Sequence, residues 1–191
     1  MKCLEAKEFL SIQAINGGRD SGAVGYYGVK ESMVALEISL KLIELLQEKG
    51  AIVFASRESD EYVSINNRIL LSNQYNLDAF ISIHANAAIS RQAEGSEVWH
   101  ADKSINGIRL AKSIQDAIIK NTSLPDRGIK SDATNTRFKN GIPVLRRTRP
   151  PAVIVEPNFI SNKLGESTFI IDGFQDIYAY AIMEGLESYF K

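Results

Sequence analysis

One segment limits the possible folds more than any other: residues 79–86, which read Ala-Phe-Ile-Ser-Ile-His-Ala-Asn. An apolar, isoleucine-rich run bounded by polar positions is typical of a buried β-strand. The run ends on His84, one of two histidines in the chain. A histidine at the carboxyl end of a central strand of an α/β sheet is well placed to bind a metal, although a lone histidine in such a position is more often a hydrogen-bonded structural residue.

Strand patterns and helix patterns alternate along the rest of the chain. Further strands are predicted at residues 9–15, 51–55, 144–146 and 152–155, with a half-exposed or edge strand at 95–100. Helices are predicted at residues 30–49, 62–74, 104–121, 162–170 and 174–190, whereas 123–141 looks irregular. This alternation predicts one α/β domain over residues 1–191, with a mostly parallel central sheet and helices on both faces.

Composition narrows the class of partner. The 191 residues carry 22 basic and 23 acidic side chains, so no strong field favours nucleic acid or an anionic membrane, and we expect a monomer. No apolar run approaches the roughly 18 residues that span a bilayer. Cys3 is the single cysteine, which excludes an internal disulfide and a cysteine-rich zinc site. The N-terminus lacks the apolar core of a signal peptide.

Four features are expected at the carboxyl edge of the sheet. A loop with four glycines begins at Asn16, Glu31 lies in the first turn of the helix that follows, and Glu156 directly follows a buried strand as His84 does. Each has a simpler explanation, such as a tight strand exit for the loop or a favourable helix dipole for Glu31. Together, one imidazole and two carboxylates suit zinc better than calcium, which prefers many oxygen ligands.

Nearly the whole chain, from Ile12 to about Tyr189, resembles the catalytic domain of the zinc-dependent N-acetylmuramoyl-L-alanine amidases, the amidase 3 family. The resemblance rests on an ordered set of motifs: Asn16-Gly17-Gly18-Arg19-Asp20-Ser21-Gly22-Ala23, Glu31, Arg57 with Asp60 and Arg68, Ser82-Ile83-His84-Ala85-Asn86, Gly95-Ser96-Glu97-Val98, Asp126-Arg127-Gly128, and Pro151-Ala152-Val153-Ile154-Val155-Glu156 with Phe159-Ile160-Ser161-Asn162. We expect Arg68 to pair with Asp60 near the start of the second helix.

The family resemblance implies hydrolysis of the amide between N-acetylmuramic acid and the L-alanine of the peptidoglycan stem peptide. By position, Glu31 and His84 match two zinc ligands and Glu156 matches the catalytic glutamate. The chain departs from the family at Asn16, where the family has the histidine of a Gly-His-Gly-Gly motif. An amide oxygen is a harder and weaker zinc ligand than an imidazole nitrogen. His100, the other histidine, is not a family ligand.

Three interpretations stay open at this point. The chain is an amidase whose zinc is completed by Asn16 or water, a degenerate amidase that only binds peptidoglycan, or an active amidase with one altered ligand. Arg146 and Asn86 are the predicted substrate-binding residues, the first for the anionic stem peptide. A second departure, Asn158 in place of a family glycine, alters the turn after Glu156. The activity would lie at the bacterial cell wall, reached by phage-type or mother-cell release, or the sequence is trimmed.

Overall fold

The computed structural model describes residues 8–191, so Cys3 and the rest of the N-terminal segment lie outside it. Its strands are β1 (Phe9–Ala14), β2 (Ile52–Ala55), β3 (Ala79–Ile83), β4 (Ser96–His100), β5 (Asp126–Ser131) and β6 (Ala152–Glu156). Its helices are α1 (Glu31–Glu48), α2 (Ile65–Gln74), α3 (Ile105–Asn121), α4 (Pro143–Arg146), α5 (Lys163–Thr168) and α6 (Phe174–Phe190). Within this part of the chain, no helix is long and apolar enough to cross a membrane.

The six strands form one mixed sheet in the order β2-β1-β3-β6-β4-β5. The first four are mutually parallel, β4 runs antiparallel to β6, and β5 runs parallel to β4. One edge of the sheet therefore carries the carboxyl ends of β1, β3 and β6 beside the amino end of β4. Ligands of open α/β sheets bind beyond this edge, and the predicted α/β architecture is confirmed.

Helices cover both faces of the sheet, as predicted. Side chains alternate along a strand, so Ile81 and Ile83 of β3 pack into the larger core while Phe80 points into the smaller one. Helices α1, α3 and α6 close the larger core, and α2 and α4 close the smaller one. A strand buried on both faces reads as a continuous apolar run, which is why β3 and β6 were recognisable from sequence.

Three local predictions were wrong: the edge position of β4, the irregular structure of residues 123–141 and the strand at residues 144–146. β4 is an internal strand rather than an edge strand, since residues 123–141 supply β5 on its outer side. The alternation of Ser96 to His100 misled because the polar side chains of this strand are buried and hydrogen-bonded. Residues 144–146 belong to α4, a single helical turn that begins at Pro143, where the fixed φ of proline suits the first helical position.

The segment before α1 is fixed by a buried carboxylate. Glu166 of α5 is fully buried, and its oxygens accept hydrogen bonds from the backbone amides of Tyr27 at 2.8 and 2.9 Å and of Val29 at 3.0 Å. A Cβ at Gly25 would lie 2.2 Å from this carboxyl group, so the backbone approaches closely enough only as glycine. Glu166 therefore ties the loop that ends at Glu31 to helix α5.

Replacing Glu166 tests this tie. Glu166→Ala leaves the amides of Tyr27 and Val29 without their acceptor, and we expect it to lower the free energy of unfolding by about 2 to 4 kcal/mol. Glu166→Gln keeps one acceptor oxygen and should lose less. Urea denaturation measures both, with Glu44→Ala on the exposed side of α1 as a control within about 0.5 kcal/mol of the parent. Equal stability of all three variants would contradict the role of Glu166.

Candidate metal and catalytic site

A cleft of about 640 Å³ lies at the edge where β1, β3 and β6 end. Its lining includes all four side chains predicted from sequence, Asn16, Glu31, His84 and Glu156, together with Asn86. The opposite wall is more apolar and comes from the segment before β6 and from two strands; it includes Trp99, Phe138, Ile142, Pro143, Val144 and Ile154. The sequence thus located the floor of the cleft, and the fold adds its far wall.

Glu31 and His84 form a direct pair. The imidazole Nδ1 lies 3.3 Å from Glu31 Oε1, and His84 Nε2 lies 3.1 Å from the Ser82 hydroxyl. The backbone amides of Ala23 and Ala85 donate to the same carboxylate at 3.0 and 3.4 Å. Burial raises the pKa of Glu31, but His84 and the two amides outweigh it, so the pKa lies below its ordinary value. Glu31 is therefore held as a carboxylate.

Asn16 is placed by buried arginines. Its backbone is left-handed, with φ 59°, so its carbonyl leaves the sheet ladder. Arg68 donates to the carbonyls of Ala14 at 2.6 Å and of Asn16 at 3.1 Å, and Arg57 donates to the carbonyl of Ile15 at 3.0 Å. Burial, followed by the neighbouring charge of Arg57, lowers the pKa of Arg68 to about 10.

The predicted pairing of Arg68 with Asp60 was wrong. Arg68 donates hydrogen bonds to backbone carbonyls and to the Ser56 hydroxyl, whereas Asp60 accepts one from the backbone amide of Gly18 at 2.8 Å. Sequence spacing could not reveal this, because carbonyls at a strand exit leave no signal in side-chain identity. Both residues nevertheless hold the same glycine-rich loop.

Gly22 allows Asn16 and Glu31 to approach each other. A Cβ at Gly22, where φ is +64°, would lie 2.1 Å from Asn16 Nδ2 and 2.6 Å from Glu31 Oε2. Any side chain there would push the two polar groups apart. The glycine-rich loop therefore acts by bringing two side chains together, and not as a phosphate cradle.

Glu156 lies beneath these residues at the end of β6. Its Oε2 is buried and has no hydrogen-bond partner within residues 8–191. Burial raises the pKa of Glu156 well above its ordinary value, and the charges of Glu31 and Glu97 raise it further. Glu97 stands directly opposite Glu156 in the antiparallel pair of β4 with β6. Glu156 is therefore a carboxyl group poised to hold a proton.

Sequence reasoning gave no role to Glu97, although its motif was among those matched. The carboxylate is 3% exposed and accepts from Asn86 Nδ2 at 2.8 Å, Trp99 Nε1 at 3.0 Å and Arg127 Nε at 2.7 Å. Asn86 lines the cleft as expected, with its amide nitrogen bound to Glu97. The only signal in the sequence was an acidic residue within a strand whose alternating pattern resembled that of an exposed edge.

Arg146 has a different environment from the one predicted for a substrate contact. Its Nε and Nη2 donate to Asp132 at 2.6 Å each, and Asp132 is 1% exposed. Asp132 also accepts from the amides of Asp102 and Ile142 at 2.7 and 3.1 Å. The contacts of Arg146 favour a structural role, in which it fixes the wall segment beside the cleft.

The motif resemblance implies a zinc ion, which needs a group of suitable donor atoms at this edge. Within residues 8–191, no three His, Cys, Asp or Glu side chains are grouped to hold a metal. Glu31 and His84 supply a carboxylate oxygen and an imidazole nitrogen, and rotation of the Asn16 amide can present its oxygen between them. The three side chains fit a zinc ion in number and place, with one weak donor. His100 is at the opposite end of the reversed β4, where its Nδ1 lies 3.0 Å from the Ala101 carbonyl, and cannot replace Asn16.

The site is a cleft at the carboxyl edge of a mostly parallel α/β sheet, and it contains an acid–imidazole pair and a buried glutamate. The chain belongs to the N-acetylmuramoyl-L-alanine amidase family, whose model matches residues 11–188. The likeness extends across the domain, so the resemblance inferred from the motifs is confirmed.

Individual proteins show the same relationship. The N-acetylmuramoyl-L-alanine amidase LytC of Bacillus subtilis is 33% identical over 186 residues, which cover 96% of this chain and 36% of LytC. The probable cell wall amidase LytH of Staphylococcus saprophyticus is 34% identical over 92% of this chain and 56% of LytH. The crystal structure of an N-acetylmuramoyl-L-alanine amidase from Clostridium difficile 630 superposes with a TM-score of 0.87 at 31% identity, covering 96% of each chain. The chain thus spans only part of these curated relatives.

Because Oε2 of Glu156 is buried without a hydrogen-bond partner within residues 8–191, we expect the free energy of unfolding to depend on pH. Because folding raises its pKa, the contribution of the neutral carboxyl is fully present below the unfolded value of about 4.3 and is lost as pH rises through the folded value. Glu156→Gln cannot ionise, so with a chelator present we expect it to unfold at a higher temperature than the parent at pH 8 and at a similar temperature at pH 4. Scanning calorimetry measures this, with exposed Glu44→Gln as the control. A pH-independent difference would contradict the isolation of Glu156.

Proposed function

We propose that this chain hydrolyses the amide between N-acetylmuramic acid and the L-alanine of the stem peptide in peptidoglycan. One observation carries the proposal: Asn16, Glu31, His84 and the unpartnered Glu156 lie together in one cleft of an amidase fold. The relatives are amidases, and some are named for the cell wall. The chain is expected to act there as a monomer, without nucleic-acid or membrane partners.

Glu31, His84 and the Asn16 amide oxygen would hold a zinc ion. Zinc supplies Lewis-acid polarisation of the substrate carbonyl and of the attacking water. The Ser82 hydroxyl 3.1 Å from His84 Nε2 orients the imidazole with Nδ1 towards Glu31, a contact from outside the ligand set that keeps the ring ready to bind metal.

Glu156 moves the proton in this reaction. Its carboxylate takes a proton from the attacking water as the oxygen bonds to the carbonyl carbon. When the carbon–nitrogen bond breaks, Glu156 returns that proton to the nitrogen, which leaves as the amine of L-alanine. A raised pKa strengthens Glu156 as the base that takes the proton from water in the first step.

The substrate contacts are also part of the proposal. Asn86 lines the cleft beside His84, and its bond to Glu97 keeps the amide carbonyl available to a ligand. Arg146, predicted from sequence to bind the stem peptide, has its Nε and one terminal nitrogen, Nη2, on Asp132. We therefore expect any effect of Arg146 on substrate to act mainly through the shape of the cleft wall.

A specific observation favours a second function, peptidoglycan binding without turnover. The third ligand position holds a neutral amide, and Glu31 and His84 already contact each other. A cleft that binds no zinc could still retain the peptide and glycan. Metal content and hydrolysis separate the two functions.

Asn16→His tests the proposal directly. An imidazole in place of the amide should tighten zinc by at least about 10-fold, since changes outside the ligand set alone alter affinity by 10- to 100-fold. Elemental analysis gives the zinc content of the parent and the variant, and release of amino groups from purified cell walls gives the activity. Asn76→His, an exposed asparagine changed in the same way, shows whether any added histidine recruits metal.

The possible results separate the interpretations. Zinc near one equivalent together with wall hydrolysis by the parent supports the amidase proposal. An empty, inactive parent with a zinc-loaded, active Asn16→His variant supports binding without turnover. If neither protein hydrolyses the wall when loaded with zinc, the proposed activity is wrong.

A further inference from the structure

We propose that Arg137 binds a carboxylate of the stem peptide, most simply the α-carboxylate of its second residue when that residue is a γ-linked glutamate. The inference rests on the proposed function and names the part of the substrate that this cleft recognises. It assigns to the wall segment a contact that the sequence had assigned to Arg146.

The charges of the cleft are distributed unevenly. Asp20, Glu31 and Glu156 supply its acidic groups, and Arg137 is the one lysine or arginine in the lining among the described residues. Its guanidinium stacks near the Phe138 ring, 5.7 Å from the ring centroid. It forms no ion pair within residues 8–191. A single unpaired cation in an otherwise acidic cleft favours an anionic group of the ligand.

The other arginines near β6 already have partners. Arg127 donates to Glu97, and Arg146 donates to Asp132. Arg147 donates to Asn66 Oδ1 at 3.1 Å, and Arg149 donates to the Asn73 carbonyl at 3.3 Å. Of the five arginines between residues 127 and 149, Arg137 is the one whose guanidinium has no hydrogen-bond or ion-pair partner within residues 8–191.

The segment that carries Arg137 is anchored at several points. Asn135 Oδ1 accepts from the backbone amides of Arg137 at 2.9 Å and Phe138 at 3.3 Å, which fixes the turn. The Phe138 ring packs against the smaller core, and Asp132 accepts from the amide of Ile142 at the end of the segment. A cation on an anchored turn loses less freedom on binding than one on a free loop.

The charges of the substrate favour the peptide, and not the glycan, as the part that Arg137 binds. The muramic acid and its acetamido group are neutral once the lactyl carboxyl is in the amide, whereas the stem peptide carries carboxylates. A guanidinium binds a carboxylate through two parallel hydrogen bonds, a geometry that an ammonium cannot reproduce. The scissile amide lies at the Glu156 floor, so the peptide must extend along one wall of the cleft, and Arg137 places it on the wall formed by residues 132–146.

A ligand pair that differs at one group tests this contact. The ligands are N-acetylmuramoyl-L-alanyl-γ-D-glutamyl-L-lysine amide with a free glutamyl α-carboxylate, and the same compound with that carboxylate amidated. Calorimetry measures binding to the full chain in a Glu156→Gln background, which blocks turnover. Arg137→Ala should weaken the free acid about 5-fold or more and the amide less than about 2-fold. Arg137→Lys should lie between, and exposed Lys139→Ala on the same segment should change neither.

The other possible results distinguish a failure of the Arg137 contact from a failure of the proposed function. Equal weakening of both ligands by Arg137→Ala, or no weakening of either, would overturn the role of Arg137 while leaving the proposed amidase intact. Failure of both ligands to bind any variant would overturn the inference together with the proposed function. Binding that depends on Arg137, in a parent chain that hydrolyses no cell wall, would support the inference and the binding function and refute the amidase.

Discussion

The carboxyl edge depends on two buried guanidinium groups that hold the backbone leaving β1. Residues 14–16 turn out of the sheet, so their carbonyls lose the strand partner that would satisfy them. Arg57 and Arg68 replace that partner, and Arg57 also donates to the Ser32 carbonyl at 2.6 Å in the first turn of α1. An unsatisfied buried carbonyl costs about 1 to 3 kcal/mol. The same contacts therefore stabilise the turn at Asn16 and place Glu31 beside it.

Three carboxyl groups, Glu31, Glu97 and Glu156, crowd this edge, and their surroundings separate them. Glu31 is compensated by His84 and two amides, and Glu97 is compensated by Arg127 and two neutral donors. Glu156 receives no donor at Oε2 and feels the charge of the other two. These surroundings increase the affinity of Glu156 for a proton while they keep Glu31 ionised, which is the arrangement expected when one carboxyl must exchange protons and another must stay charged.

The sequence predicted well where one residue property decided the structure. Buried strands such as β3 and β6 are mostly apolar, and the ends of parallel strands meet, so His84 and Glu156 could be placed together in advance. It predicted poorly where a non-local contact decided. β4 was misplaced because Glu97 is buried by partners from the segment after β3 and from β5 as well as from its own strand. Arg68 was mispaired because most of its acceptors are main-chain carbonyls, which any residue supplies.

Asn16 illustrates how one position combines two demands. Its backbone is left-handed, a conformation that asparagine tolerates better than most residues and that histidine also adopts. Its side chain approaches Glu31 across Gly22, in a space that admits the amide but no Cβ at position 22. The arginines hold the main chain at this position, and the glycine clears the side chain. Exchange of asparagine for histidine at this position would change the donor atom from an amide oxygen to an imidazole nitrogen, whereas the hydrogen bonds of Arg57 and Arg68 to the main-chain carbonyls do not depend on that side chain.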